Sequence, residues 1–181
     1  MKKRISEEEV NRLYSEYSTP PNVIRHCKAV TRVAEALSRA LNDKGYSLDL
    51  DLVRGAGLSH DVARTYDRHW DVMADKLEEM GYPDEAFIVR GHMLGDSYHE
   101  IENITEQDMI WLGDRLVKED QYVGIDERFE YIIDTALKMG AEDHVPHILE
   151  SKAKMKRLLD DIEDVIGQSV DSLFEEEFHY E

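Results

Sequence analysis

The sequence has one cysteine and lacks any long apolar run. Cys27 has no second cysteine with which to form an intrachain disulfide, and such a chain suits a reducing compartment. No apolar stretch approaches the roughly 20 residues that a membrane-spanning helix needs. The opening MKKR is followed by the polar ISEEEVNRLY rather than by an apolar segment, so we expect no secretion signal. These absences predict a cytoplasmic protein without a membrane partner.

Basic residues are also scarce. The chain contains 22 Lys and Arg against 40 Asp and Glu, and its formal net charge is −18. Such a surface repels the nucleic-acid backbone, whose binding depends on released counterions. We therefore expect no long nucleic acid as partner. A small anionic substrate can still bind where metal ions or local arginines reverse the field in one cleft.

Proline and glycine are few, with 4 and 10 residues, and most of them fall at or between the ends of segments with helical periodicity. No segment shows the alternation of an exposed strand. The 181 residues, 41% of them hydrophobic, suffice for one domain with its own core. We predict an all-α fold in which the helices occupy residues 6–17, 20–45, 48–65, 69–83, 84–94, 105–120, 125–140 and 142–167.

The same pattern predicts how the chain is divided. Residues 1–19 form an N-terminal helix packed on the domain, and Ser6 with Glu9 has the spacing of a capping box at its start. Residues 20–167 form the main domain. The acidic tail, 168–181, follows a segment that also lacks Lys and Arg.

Polar groups interrupt the apolar faces of three predicted helices. They are His26, the adjacent pair His60 and Asp61, and Asp114. Each alone is more often a hydrogen-bonded core residue, or a carboxylate paired with an arginine such as Arg115 or Arg90. Together, two imidazoles and two carboxylates match the ligands of a divalent transition metal such as Mn, Fe, Co, Ni or Zn.

The segments around these residues resemble a known family. RHCKAVTRVA resembles the first-histidine helix of the HD superfamily of metal-dependent phosphohydrolases, GLSHDVAR resembles its HD helix, and DMIWLGDRLV resembles its last-aspartate helix. The resemblance spans roughly residues 20–140. It implies an HD-domain-like helical bundle over 20–167 that hydrolyses a phosphate ester of a nucleotide or another small phosphorylated metabolite.

Two more histidines fall between the HD pair and Asp114. Resemblance to the dinuclear branches implies that His92 and His99 bind a second ion, with Asp61 bridging the two. The alternative is a mononuclear site in which His92 bonds to the backbone. We interpret the other histidines as surface or helix-capping residues, and they are His69, His144, His147 and His179.

The resemblance also implies a phosphate-binding residue near the metal. Arg64, one turn after His60, is assigned to the substrate phosphate and, with Asp61, to catalysis. Arg68 and His69 are expected to line the same mouth and contact substrate. The alternative for Arg64 is a surface salt bridge to Asp61 or Asp67.

Two other function classes stay open. An HD-fold diiron oxygenase would contain iron and consume oxygen. A non-catalytic metal- or nucleotide-binding regulatory module usually lacks ligands, whereas this chain has the full set. The substrate, the choice of metal and the oligomeric state are left open by the sequence.

Overall fold

The computed structural model describes residues 2–92 and 100–174. Over these residues the chain forms eight α-helices and one two-stranded antiparallel hairpin. The all-α prediction is thus confirmed. The elements are α1 (Glu7–Glu16), α2 (Pro21–Asn42), α3 (Leu50–Ser59), α4 (His69–Glu79), α5 (Pro83–Gly91), α6 (Glu106–Leu116), β1 (Val117–Lys118), β2 (Gln121–Tyr122), α7 (Gly124–Lys138) and α8 (Val145–Ile166).

Local sequence explains where several helices begin. Ser6 and Glu9 form the predicted capping box of α1, which satisfies backbone N–H groups that a helix start leaves free. Asp49 caps α3 by accepting from two backbone N–H groups. Pro21 and Pro83 occupy the first turns of α2 and α5, where a missing N–H costs nothing.

The central element is α2, which packs against both α3 and α6. Small residues permit the close approach. A Cβ atom added to Gly57 of α3 would lie 2.6 Å from Thr31 Oγ1, and one added to Gly113 of α6 would lie 2.8 Å from the Val30 carbonyl oxygen. The polar residues of α2, α3 and α6 are therefore held near one another by tight backbone packing.

Two apolar cores flank this centre. The larger is built mainly by α2, α3, α6 and α8 and includes Phe129 of α7. The second is built by α1, α4 and α5, with Cys27 of α2 and Leu58 of α3. Cys27 is fully buried there, as expected of a small apolar residue. Because α2 and α3 contribute to both cores, the polar residues on them lie where the cores meet.

The chain segments outside the predicted main domain also make core contacts. Tyr14 of α1 donates a hydrogen bond to the Leu58 carbonyl, with an O···O distance of 2.5 Å. Thr19 Oγ1 donates to the Val62 carbonyl at 2.7 Å. Beyond residue 167, Phe174 is buried in the larger core. The division into 1–19, 20–167 and 168–181 stays a prediction.

The helix predicted over residues 48–65 ends early, at Ser59. Beyond it, the N–H groups of Val62 and Arg64 bond to carbonyls three residues earlier, so the chain runs in tight turns. His60 Nδ1 bonds to the Gly57 carbonyl at 2.8 Å, which a continuing helix would use for its own backbone. Such side-chain bonds compete with helix propagation.

The helix predicted over 105–120 is also too long. It ends at Leu116, and Val117 pairs with Tyr122 in the hairpin. The expectation that no strand would form is wrong here. Glu119 adopts a positive φ of 56° in the turn, a conformation that strand-pairing contacts can impose on a non-glycine residue.

Membrane spanning can be judged for the described helices. None of them combines the length and the apolar character required to cross a bilayer.

Candidate metal centre

Three of the four predicted metal ligands lie together. His26 comes from α2, His60 immediately follows α3, and Asp114 comes from α6. One ligand atom from each lies within 4.8 Å of the other two. His60 is fully buried and Asp114 is nearly so.

The remaining predicted ligand, Asp61, belongs to a second group with His69 and His92. Their ligand atoms also lie within 4.8 Å of one another, and all three residues are buried. The groups adjoin, since His60 Nε2 is 3.9 Å from Asp61 Oδ2. His99, predicted to pair with His92, lies outside the described residues.

His69 corrects the sequence interpretation. We expected a surface or capping residue at the mouth, but only 5% of His69 is exposed. It begins α4, and the tight turns after Asp61 carry it back toward that carboxylate, so that His69 Nε2 lies 2.9 Å from Asp61 Oδ1. Helical periodicity cannot predict that His69 approaches Asp61, because this contact depends on the path of the irregular segment between them.

Backbone carbonyls orient three of the histidines. The ring nitrogen Nδ1 bonds to the carbonyl oxygen of Glu119 for His26 at 2.7 Å. For His60 and His92 the acceptors are the carbonyls of Gly57 and Val89, at 2.8 Å and 2.6 Å. A carbonyl can only accept, so Nδ1 is the donor in each ring, and a neutral ring held in this way presents an Nε2 lone pair. Metal-binding histidines are typically held in this way.

Two buried atoms at the junction of the groups lack a hydrogen-bond partner among the described residues. They are His60 Nε2 and Asp61 Oδ1. The contact between Asp61 Oδ1 and His69 is close, but its orientation is not that of a hydrogen bond. Leaving such atoms unsatisfied costs about 1–3 kcal/mol each. A metal ion supplies the missing partner, so these residues fit a bound cation.

The electrostatics of the second group favour ligation. Burial and the neighbouring His60 lower the pKa of His92 to about 4, so this ring is neutral near pH 7. Burial raises the pKa of Asp61, but the charge of His60 and the contact with His69 outweigh it and lower the pKa overall. Neutral imidazole and ionised carboxylate are the forms that bind metal.

In the first group, His26 and Asp114 stabilise each other's charged forms. Burial lowers the pKa of His26, but the hydrogen bond and charge of Asp114 more than offset this, so its pKa is raised. Burial raises the pKa of Asp114, whereas the charge of Arg115 and the bond to His26 hold it well below its usual value. Arg115 is the arginine that pairs with Asp114, one of the partners the sequence suggested.

A cavity of about 660 Å³ opens over both groups, and Asp61, His92 and Asp114 lie in its wall. Arg64 lines it too, and its Nε lies 3.6 Å from Asp61 Oδ2. Arg68 does not line this cavity. Its side chain is 72% exposed and pairs with Asp71. Arg128 of α7 also lines the cavity, although the sequence did not single it out.

Comparison with known proteins identifies the family of the chain. A model described as HD domain matches residues 23–160. An uncharacterized protein of Methanocaldococcus jannaschii is 35% identical over 95 residues, which cover 51% of this chain and 53% of that protein. The match thus spans about half the length of this relative. No solved structure matches significantly. Because the family match extends over most of its length, the chain belongs to the HD-domain family.

Proposed function

We propose that this protein is an enzyme that hydrolyses the phosphate ester of a small metabolite with the help of divalent metal. Its family suggests metal-dependent phosphohydrolase activity. The observation that carries the proposal is a pair of buried atoms, His60 Nε2 and Asp61 Oδ1, that have no hydrogen-bond partner in the described part of the chain. They lie where two groups of His and Asp ligands adjoin.

The donor set favours a divalent transition-metal ion. It contains only imidazole nitrogen and carboxylate oxygen, which suits Mn, Fe, Co, Ni or Zn. His26, His60 and Asp114 would hold one ion, and Asp61, His69 and His92 a second. A bound divalent ion lowers the pKa of a coordinated water and stabilises charge on phosphoryl oxygens.

The protein's own residues orient the reactants. The carbonyls of Glu119, Gly57 and Val89 fix the rings of three histidines. Arg64, with half of its side chain exposed at the cavity, would contact the substrate phosphate. Its guanidinium suits that role because it can donate two parallel hydrogen bonds to phosphate oxygens.

The decisive experiment compares two isosteric substitutions. Asp61→Asn removes the carboxylate of the second group. Asp67→Asn changes an exposed aspartate on the same segment. We expect Asp61→Asn to lose tightly bound metal and phosphate release, and Asp67→Asn to keep both. Elemental analysis and release of phosphate from a panel of monoesters measure the outcome. Full metal content in Asp61→Asn would refute the ligand assignment.

A second comparison counts the ions. His69→Gln removes a buried ligand of the second group, and His144→Gln removes an exposed histidine near the start of α8. Under saturating Mn²⁺ we expect close to two ions per chain in the wild type and in His144→Gln, and close to one in His69→Gln. A wild-type stoichiometry of one would favour a mononuclear enzyme.

The same preparations test the rival functions. Iron-dependent oxygen uptake without phosphate release would indicate a diiron oxygenase. Metal binding without turnover of any phosphate ester in the panel would indicate a regulatory module. Phosphate release that depends on added metal and on Asp61 supports the hydrolase.

A further inference from the structure

Arg128 is an unusual cation in this acidic chain. It is half-buried on α7, yet none of the described carboxylates forms an ion pair with it. Its guanidinium Nε makes one long hydrogen bond, 3.4 Å, to the Asp114 carbonyl. The guanidinium carbon also lies 5.7 Å from the centre of the Tyr131 ring. Buried arginines are normally paired, and these two contacts leave most of its donors unused.

Two neighbouring arginines at the cavity, unlike Arg128, pair with carboxylates. Arg25 pairs with Asp120 at 2.9 Å, and Arg115 pairs with Asp114. Arg128 lines the same cavity as Arg64 and Arg115. Cations from three separate parts of the chain therefore meet at one cleft of a protein with a net charge of −18. Because Asp61, Asp114, Glu119 and Asp120 also line the cavity, an anion is favoured next to the cation that these carboxylates leave unpaired.

The rest of the α7 face shapes the same wall. Tyr131, Ile132 and Thr135 line the cavity with Arg128, and their spacing of three, four and seven residues places them on one side of the helix. Tyr131 is 46% exposed. The wall thus combines a cation with an aromatic ring, an aliphatic group and a hydroxyl.

We propose that Arg128 binds the phosphate of the substrate, and that the α7 face beyond it contacts the substrate's organic part. This inference rests on the proposed function, because it assigns a further binding residue to the same site. Contacts with the described residues leave most guanidinium donors of Arg128 unused, whereas Arg115 is engaged by Asp114. A phosphate monoester supplies the oxygen acceptors that those donors lack.

Calorimetry with inorganic phosphate on the metal-loaded full chain tests the role of Arg128. Arg128→Gln is compared with Arg12→Gln, which makes the same charge change at an exposed residue of α1. We expect phosphate to bind about tenfold more weakly, or worse, to Arg128→Gln, because a charged hydrogen-bond donor is lost. Arg12→Gln should bind as the wild type does. Arg128→Lys should recover part of the loss, since charge is kept without the fork geometry.

Metal content is measured in each variant. Weak phosphate binding with wild-type metal content supports the assignment. Unchanged phosphate affinity in Arg128→Gln overturns it, and so does wild-type protein that binds no phosphate. Joint loss of metal and phosphate would make Arg128 a positioning residue for Asp114 and overturn it too. Monoester hydrolysis with unchanged KM in Arg128→Gln would contradict only this inference and would still support the proposed function.

A pair of ligands tests the organic contact. Tyr131→Ala should weaken phenyl phosphate by about threefold to tenfold more than it weakens inorganic phosphate, because ring contacts are worth about 0.5–1.5 kcal/mol. An equal effect on both ligands, or none on either, would contradict the role of this face.

Discussion

Gly57 links packing to the geometry of the site at the scale of a single residue. A Cβ added there would lie 2.6 Å from Thr31 Oγ1 and 3.2 Å from Thr31 Cα. Its carbonyl oxygen accepts the bond that orients His60. Side-chain volume at this position would therefore separate α2 from α3 and move a candidate ligand at the same time.

Gly57→Ala should lower the free energy of unfolding by about 1–3 kcal/mol, the usual cost of overpacking a tight contact. It should also weaken metal binding, since His60 would move relative to His26. Denaturant unfolding measures the first effect and metal titration the second.

Thr31→Ala provides the control through a double-mutant cycle. It removes the closest contact but leaves Thr31 Cα at 3.2 Å, so the double variant should lose less stability than the two single variants added together. Strict additivity would show that the clash with Thr31 is not the cause.

At the scale of the elements, the hairpin after α6 contacts a candidate ligand directly. Its two-residue turn consists of Glu119 and Asp120. The Glu119 carbonyl accepts the hydrogen bond from His26, and Asp120 pairs with Arg25. The turn therefore positions a candidate ligand on α2, while its own side chains belong to neither candidate ligand group.

Two substitutions at Glu119 separate the effect of its backbone geometry on metal affinity from the effect of its side chain. Glu119→Gly keeps a positive φ accessible and retains the carbonyl, whereas Glu119→Pro forces φ to about −65°. We expect metal affinity to stay near wild type in Glu119→Gly and to fall by about tenfold or more in Glu119→Pro, as for other groups that orient ligands. Metal titration decides, and equal affinities would refute the role of the turn.

Elements differed in how well the sequence predicted them. The capping box of Ser6 and Glu9 placed the start of α1 correctly, because that signal is local. The ends of α3 and α6 were misplaced. They depend on the bond of His60 to Gly57 and on strand pairing of Val117 with Tyr122, and apolar periodicity reports neither.

The N-terminal residues tie distant helices together at the scale of the whole molecule. Arg4 pairs with Asp49, the cap of α3, at 2.9 Å and with Asp84 of α5 at 2.7 Å. The backbone N–H of Ile5 donates to Glu85 Oε1 at 3.1 Å. Although burial raises the pKa of Asp49, its backbone bonds and Arg4 lower it overall. The hydrogen bond from Arg4 lowers the pKa of Asp84.

Arg4→Ala should destabilise the protein at pH 7 by about 1–2 kcal/mol, a value reduced for the partial exposure of both carboxylates. A carboxyl whose folded-state pKa is lowered stabilises the fold above its unfolded pKa and loses that contribution as pH falls through the folded pKa. The difference between wild type and Arg4→Ala should therefore shrink below about pH 4. Denaturant unfolding across pH measures it.

Arg12→Ala is the matched control. Arg12 is exposed and lies 3.8 Å from Glu8, so we expect a change within about 0.5 kcal/mol at every pH. A pH-independent loss in Arg4→Ala would contradict the role assigned to its two carboxylates.

The sequence by itself determined the fold class, the succession of helices and the identity of His26, His60, Asp61 and Asp114 as candidate ligands. Helical periodicity and capping act over a few residues, so they can be read along the chain. The order of the polar residues on apolar faces then indicated the family, which the match over residues 23–160 confirms. Their roles as ligands stay predictions.

Only the tertiary structure decided which groups complete the site. His69 reaches Asp61 through irregular turns, Glu119 orients His26 across 93 positions of sequence, and Arg128 has no carboxylate partner within residues 2–92 and 100–174. Each of these arrangements depends on how separate elements pack. Packing is set by the shape of the whole core rather than by the sequence neighbours of any one residue.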